Sequence, residues 1–253
     1  MKILVLNSGS SSQKSAFYEI GGSLPDRAPE PRWEGKIEWS GERGKLQARK
    51  ANSATESREV NAGDRAKAVE ALLRTLSEHW QGNGARVAVV GHRIVHGGSE
   101  FREPVLITPE VKAGITRMAA FAPLHNRAEL EGIQIIEKEM SGVPQVAVFD
   151  TGFHSTLPDA ACVYPGPYEW VKRGIRRYGF HGINHAYCAE RAAQLLSRSI
   201  GESKIVSCHL GNGCSVAAID AGRSVDTSMG FTPLEGLMMG TRSGRSIRGF
   251  LSF

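Results

Sequence analysis

The stretch that decides the fold is the N-terminal run Lys2–Asn7, K-I-L-V-L-N, with S-G-S-S-S-Q over 8–13 and K-S-A-F-Y-E-I over 14–20. An apolar run, a small polar turn and a resumed alternation of apolar and polar residues read as strand, turn, strand. The plan returns near residue 210. I-L-V-L-N-S-G-S-S-S (3–12) and V-S-C-H-L-G-N-G-C-S (206–215) are both a strand, a turn of Asn, Gly and Ser, and a second strand. Two such hairpins, one in each half, imply a duplicated architecture facing a cleft.

Between them the periodicity alternates between two types. Ala68, Leu72, Leu73 and Leu76 recur at helical spacing within Asp64–Trp80. V-A-V-V within Arg86–Gly91 and Gln145–Phe149 read as buried strands. Thr108-Pro109-Glu110 is a helix start, a capping hydroxyl followed by Pro in the first turn. Further helices are expected over Arg127–Met140 and Asn184–Ser199. Two strands are expected within Trp33–Arg49, and two more at Lys204–His209 and Ser215–Ile219. Mixed strands and helices define an α/β class.

The composition agrees. The chain has 253 residues, 41% hydrophobic and 23% charged, in the range of globular rather than disordered chains. Its formal net charge of +5 suits anionic small molecules as well as any polyanion. The arginines are scattered among loops rather than arranged in an aromatic-interleaved stripe, which argues against nucleic acid. No apolar run reaches the roughly 18 residues of a membrane span, and the start turns polar too soon for a signal peptide. Cys162, Cys188, Cys208 and Cys214 form no C-x-x-C pair, so a cytoplasmic protein with reduced thiols is expected.

Chemistry concentrates in the loops. N-S-G-S-S-S-Q-K (7–14) offers backbone N–H groups, hydroxyls and Lys14 to a phosphate, but a Walker A loop needs Gly before Lys and a helix after it. A solvated hairpin turn is the plain alternative. G-H-R-I-V-H-G-G (91–98) follows a buried strand, where α/β sheets bind ligands. Arg93 there can clamp a carboxylate or phosphate with two parallel bonds, whereas His96 reads as structural. Asp150 ends a strand, where a carboxylate reaches a metal or its water shell or caps a helix. His154, close by, is too loosely spaced from it to make a metal pair. His181, flanked by glycines in R-Y-G-F-H-G (177–182), can donate to charge developing on a transferring group. H-L-G-N-G (209–213) is a tight turn after a strand, and Arg242 sits in the flexible T-R-S-G (241–244). Two phosphate-loop candidates, placed arginines, one His and one Asp fit phosphoryl transfer, which asks for positioning and charge stabilisation.

Taken in order, N-S-G-S-S-S-Q-K, G-H-R-I-V-H-G-G, A-P-L-H-N (122–126), V-F-D-T-G-F-H-S-T-L-P (148–158), R-Y-G-F-H-G, H-L-G-N-G-C-S (209–215) and D-T-S-M-G-F-T-P-L-E-G-L-M-M-G-T-R-S-G (226–244) resemble the acetate kinase family. The resemblance implies duplicated actin/sugar-kinase-like domains with mixed sheets, here 1–151 and 152–253, the second incomplete. It implies reversible transfer of the ATP γ-phosphoryl group to acetate with Mg²⁺, in a homodimer. It assigns Asn7 to Mg²⁺, Lys14 and His209, Leu210, Gly211, Asn212 and Gly213 to nucleotide phosphates, and Arg93 to the carboxylate substrate. Asp150, His181 and Arg242 become catalytic. Because acetate is already ionised at neutral pH, Asp150 is better suited to positioning Mg²⁺ or its waters than to removing a proton.

Three departures mark this chain. Arg127 replaces the usual Pro after L-H-N, and Ile183-Asn184 replaces Thr-Ser beside His181. Past T-R-S-G the family's acidic D-x-D-P gives way to R-S-I-R-G-F-L-S-F (245–253). A truncated product is the expectation there, which leaves open an inactive remnant of the family beside the kinase itself. A propionate kinase is the other alternative.

Overall fold

A computed structural model describes residues 1–9, 11–23, 25, 27–61, 63–79, 86–119, 123–240 and 243–244. They divide into two compact units, Met1–Ile94 with Val105–Val148, and Val95–Pro104 with Phe149–Phe253.

In the first unit the strands are β1 (Lys2–Ser8), β2 (Ser12–Glu19), β3 (Trp33–Ser40), β4 (Arg43–Lys50) and β5 (Glu56–Asn61). After them come α1 (Arg65–His79), β6 (Val89–Ile94), β7 (Val105–Leu106), α2 (Pro109–Met118), α3 (Pro123–Glu139) and β8 (Gln145–Phe149). The strands form one sheet in the order β5-β4-β3-β2-β1-β6-β8-β7. β1 to β5 meander antiparallel, while β6 joins β1 in parallel, Leu4 opposite Val90 and Leu6 opposite His92. A parallel neighbour requires a crossover, and α1 lies in that connection.

Alternation decides what the sheet covers. Leu4, Leu6, Phe17, Trp33, Ile37, Leu46 and Ala48 are buried in one cluster with Leu72, Leu73 and Leu76 of α1 and Ile135 and Ile136 of α3. Burying one such side chain fully is worth about 1.5–3 kcal/mol, so the hairpin legible at the N-terminus is held by the helices it packs against. α2 starts as expected: Thr108 Oγ1 accepts from Val111 N at 3.3 Å, and Pro109 occupies a position whose N–H would have no helical partner.

The second unit holds a 3₁₀ turn (Gly152–Thr156), the short helices α4 (Asp159–Cys162) and α5 (Glu169–Lys172), and α6 (Gly182–Leu195). A 3₁₀ turn at Ile200–Glu202 leads into β9 (Lys204–Leu210), β10 (Cys214–Asp220) and β11 (Arg223–Thr227). These strands form an antiparallel sheet in the order β11-β10-β9. Ala189 of α6 packs with Ala217 and Ile219 of β10, joined by Phe153, Ile200 and Ile205.

Three strands, β5, β7 and β11, were not expected from the sequence. β5 is exposed almost throughout, so no apolar alternation marks it. β11 follows a two-residue loop in which Ala221 (φ 50°) and Gly222 (φ 78°) are both left-handed, the primed-turn geometry that usually announces itself as Asn-Gly or Asp-Gly. The helix expected at Asn184–Ser199 begins earlier, at Gly182, and ends at Leu195, before Ser197 turns left-handed (φ 53°).

Four buried imidazoles make stability sensitive to acid. Burial pushes His92, His96, His154 and His185 down to about 4, below the ordinary value near 6.5. Between those values the unfolded chain binds more protons than the folded one, so stability present at neutral pH is lost as pH falls through the window. Each group can contribute up to about 3 kcal/mol. We expect the urea midpoint to drop markedly from pH 7 to pH 5, and equal midpoints would contradict the burial of neutral imidazoles.

Candidate functional site

Three of the residues singled out in the sequence come together on the sheet of the first unit. Asn7 and Lys14 are register partners across β1 and β2. Their neighbours Leu6 and Phe17 point into the core, so alternation sends Asn7 and Lys14 to the opposite face. Arg93 of β6 shares that face, and its Nη1 donates to Asn7 Oδ1 at 3.0 Å. His92, one residue earlier, points the other way: it is buried and bonded to Gln145 Oε1 at 2.7 Å. Within G-H-R the strand thus separates a structural imidazole from a presented guanidinium.

The same face carries a groove of about 460 Å³, lined among others by Asn7, Lys14, Glu34, Lys36, Gln47 and Arg49. Lys36 pairs with Glu38 at 2.5 Å and Arg49 pairs with Glu34, so part of its positive charge is balanced locally.

In the second unit, Asp150 follows β8 and is buried. Its backbone carbonyl accepts from Gly182 N at 2.9 Å, which ties the strand's end to the first residue of α6. A Cβ on Gly182 would lie 2.2 Å from that carbonyl oxygen and 2.9 Å from Phe153 Cβ, so no side chain fits there. His181, the residue before, caps α6 in the left-handed conformation (φ 58°, ψ 22°). Strain of this kind in a non-glycine residue costs about 1–3 kcal/mol and marks a site the surroundings over-determine.

His181 meets the glycine turn named in the sequence. Its ring stacks on His209, centroids 4.0 Å apart and planes 18° apart. A Cβ on Gly213 would approach its Cε1 and Nε2 to 3.0 Å. The turn between β9 and β10 closes with Gly211 N donating to Gly213 O at 3.0 Å, and Leu210, Gly211 and Asn212 are exposed. His209 Nδ1 donates to Asn184 Oδ1 at 3.0 Å. Asn184, noted in the sequence only as a departure, thus orients His209.

Other residues take structural parts. His154 donates through Nε2 to Phe180 O at 3.1 Å and accepts through Nδ1 from the Ser224 hydroxyl at 2.7 Å, so both nitrogens are occupied in the interior. His96 Nδ1 accepts from Gly98 N at 2.9 Å. Arg177 reaches Ala161 O at 3.0 Å and Met229 O at 3.3 Å, binding loops together. Arg242 lies outside the described residues, as do Ala122 and the stretch 245–253. Sequence reading missed Ser207, His185 and Ser215, which line up behind His181; their one signal is alternate inward placement along β9 and β10 and on the first turn of α6.

For a divalent cation, the described residues include no group of three or more His, Cys, Asp and Glu side chains placed to hold one. Asn7 Oδ1, the oxygen assigned to Mg²⁺ by resemblance, accepts from a guanidinium. Mg²⁺ is typically held by one or two carboxylates with substrate phosphates and water, and this donor set does not by itself fit it. No helix among the described residues is long and apolar enough to cross a membrane.

Comparison with known proteins places the chain. The model of the acetokinase family matches residues 2–253, so the chain belongs to that family. It is 55% identical to acetate kinase of Cyanothece sp. (strain PCC 7425 / ATCC 29141), over 99% of this chain and 63% of the relative. It is also 55% identical to acetate kinase of Trichormus variabilis (strain ATCC 29413 / PCC 7937), over 96% of this chain and 62% of the relative. Among solved structures, Porphyromonas gingivalis acetate kinase matches with a TM-score of 0.85 at 41% identity, covering 100% of this chain and 63% of that one. A propionate kinase from Francisella tularensis matches with a TM-score of 0.87 at 38% identity, covering 99% and 63%. The chain thus spans somewhat over three-fifths of the length of these relatives.

The Asp150–Gly182 junction gives a direct test. Gly182→Ala should destabilise the chain by about 1–3 kcal/mol, the usual cost of forcing an atom into a filled site. Gly201→Ala, where the nearest atom to a new Cβ is Ser199 Oγ at 3.6 Å, should stay within about 1 kcal/mol of the parent. Equal urea midpoints for the two variants would contradict the crowding at Gly182.

Proposed function

We propose that this chain carries the phosphoryl-transfer chemistry of its family, moving the γ-phosphoryl group of ATP to acetate and back. The observation that carries the reading is the pairing of Arg93 with Asn7, beside Lys14, on the face of the sheet opposite α1 and α3. A guanidinium held by an amide oxygen on this face presents a planar, delocalised charge that suits a carboxylate.

The chemistry asks little else of that face. Acetate is ionised at neutral pH, so its oxygen needs orientation rather than deprotonation, and Arg93 supplies it. Lys14 adds positive charge for the transferring phosphates. In the second unit His181 presents an imidazole N–H suited to the charge that builds on the phosphoryl oxygens. The exposed turn at Gly211 and Asn212 suits a phosphate. Asp150 anchors the start of α6 through its carbonyl. Arg242 completes the set by resemblance. Magnesium accompanies the nucleotide in this reading; the described residues include no group of three or more His, Cys, Asp and Glu side chains placed to hold it.

The same reading puts the protein in the cytoplasm as a homodimer; Cys162, Cys188, Cys208 and Cys214 are free, as a reducing compartment would leave them. The propionate kinase among the structural relatives favours a second acceptor. One methylene discriminates by only about 1–3 kcal/mol, so both acids should be tried.

The test is ADP formation by the purified 253-residue chain with ATP, Mg²⁺ and acetate. We expect turnover that Arg93→Ala lowers by about 10- to 100-fold in kcat/KM for acetate, the loss of charge-assisted bonds to a carboxylate. Arg93→Lys should fail to restore it, because a point charge lacks the planar fork. Absence of turnover from the folded parent chain, or full turnover in Arg93→Ala, would overturn the reading.

A further inference from the structure

Behind His181 runs a row of hydrogen bonds with no part in the scheme above. His181 Nδ1 lies 2.8 Å from Ser215 Oγ, and the same hydroxyl lies 2.8 Å from His185 Nε2. The other nitrogen of His185, Nδ1, lies 2.9 Å from Ser207 Oγ. Ser215 and His185 are fully buried and Ser207 is buried.

We propose that Ser215, backed by His185 and Ser207, is a positioning residue that fixes His181 as the tautomer with Nδ1 bare and its proton on Nε2.

The polarity of the row follows from its protons. A hydroxyl has one proton to donate, so Ser215 donates to one of its two imidazoles and accepts from the other. A neutral imidazole likewise has one N–H. His185 is neutral, since burial first, then the neighbouring His154 and His209, push it down to about 4. Only two polarities then satisfy the row. In one, Ser207 donates to His185 Nδ1, His185 Nε2–H donates to Ser215, and Ser215 donates to His181 Nδ1. In the other every bond is reversed, and His181 carries its proton on Nδ1.

Ser207 separates them. Among the described residues its hydroxyl bonds only His185. Reversal would turn Ser207 into an acceptor and leave its own proton buried without one. An unsatisfied buried donor is costly enough to bias the row at least about tenfold toward the first polarity. In that polarity the hydroxyl protons of Ser207 and Ser215 and the Nε2–H of His185 each have a partner.

This assignment rests on the phosphoryl-transfer reading for its purpose. An Nε2–H held in place can donate to a transferring group without first taking up or losing a proton. The Nε2 edge faces Gly213, where the missing side chain leaves room for close approach. Ser215 touches no reacting atom in this account, so it acts only through His181.

The test is long-range ¹H–¹⁵N correlation of the imidazoles in the ¹⁵N-histidine-labelled 253-residue chain at neutral pH, with His181 assigned from His181→Gln. We expect His181 and His185 both to show a bare Nδ1 and a protonated Nε2, with the alternative tautomer of His181 below about a tenth. Ser207→Ala touches neither His181 nor its loop, yet should raise that minor form at least about twofold by removing the bias. Tautomer exchange or a protonated Nδ1 at His181 in the parent chain would overturn the assignment. So would a folded Ser207→Ala chain with unchanged populations. If that variant does not fold, the parent spectrum alone decides. The readout is independent of turnover: an inactive chain with His181 fixed on Nε2 overturns the proposed activity alone, and an active chain with a mixed tautomer overturns this assignment alone.

Discussion

The second unit depends on one backbone hydrogen bond, from Gly182 N to Asp150 O. It joins the residue that follows β8 to the residue that opens α6, 32 positions later in the chain, and it lies in the interior where an unmet amide is costly. Because a Cβ at 182 would lie 2.2 Å from the accepting oxygen, nothing larger than glycine fits there. Because it fixes where α6 starts, it forces His181 into a left-handed cap. That strained residue is then held from the side by Ser215 and from above by His209. The strain is tolerated because the surrounding bonds leave the ring nowhere else to go.

The first unit solves a different problem with simpler means. A strand alternates its side chains, so one face of β1, β2 and β6 feeds a core closed by α1 and α3, and the other presents Asn7, Lys14 and Arg93. The neighbouring pair His92 and Arg93 shows how sharp that division is. One is driven neutral by burial and bonded to Gln145; the other keeps its charge and meets an amide oxygen. Register therefore does the work of assembly, since a slip by one residue would bury the guanidinium and expose the imidazole.

Much of this was legible in the sequence. The N-terminal hairpin, the hairpin around residue 210, the helix on Leu72 and Leu76 and the capped start at Thr108 all follow from periodicity and turn chemistry, and each stands in the structure. β5 escaped because it buries almost nothing, and β11 because alanine occupies a left-handed turn position usually marked by Asn or Asp. Among the candidate site residues, Asn7, Lys14 and Arg93 were visible as loop and strand-end chemistry, and their meeting on one face follows from strand pairing that no single motif reveals. Ser207, His185 and Ser215 were invisible for a different reason. Serine in a strand and histidine in a helix are ordinary residues until the fold aligns them.

The measurement that tests the account most directly is hydrogen exchange of the Gly182 amide, followed by NMR in the intact 253-residue chain. If the strand end and α6 are pinned together as described, that amide should exchange as slowly as those in the middle of β10, because both open only with the unit's core. Exchange at the rate of an exposed loop amide would mean that the junction is not held, and the placement of His181 that rests on it would fall.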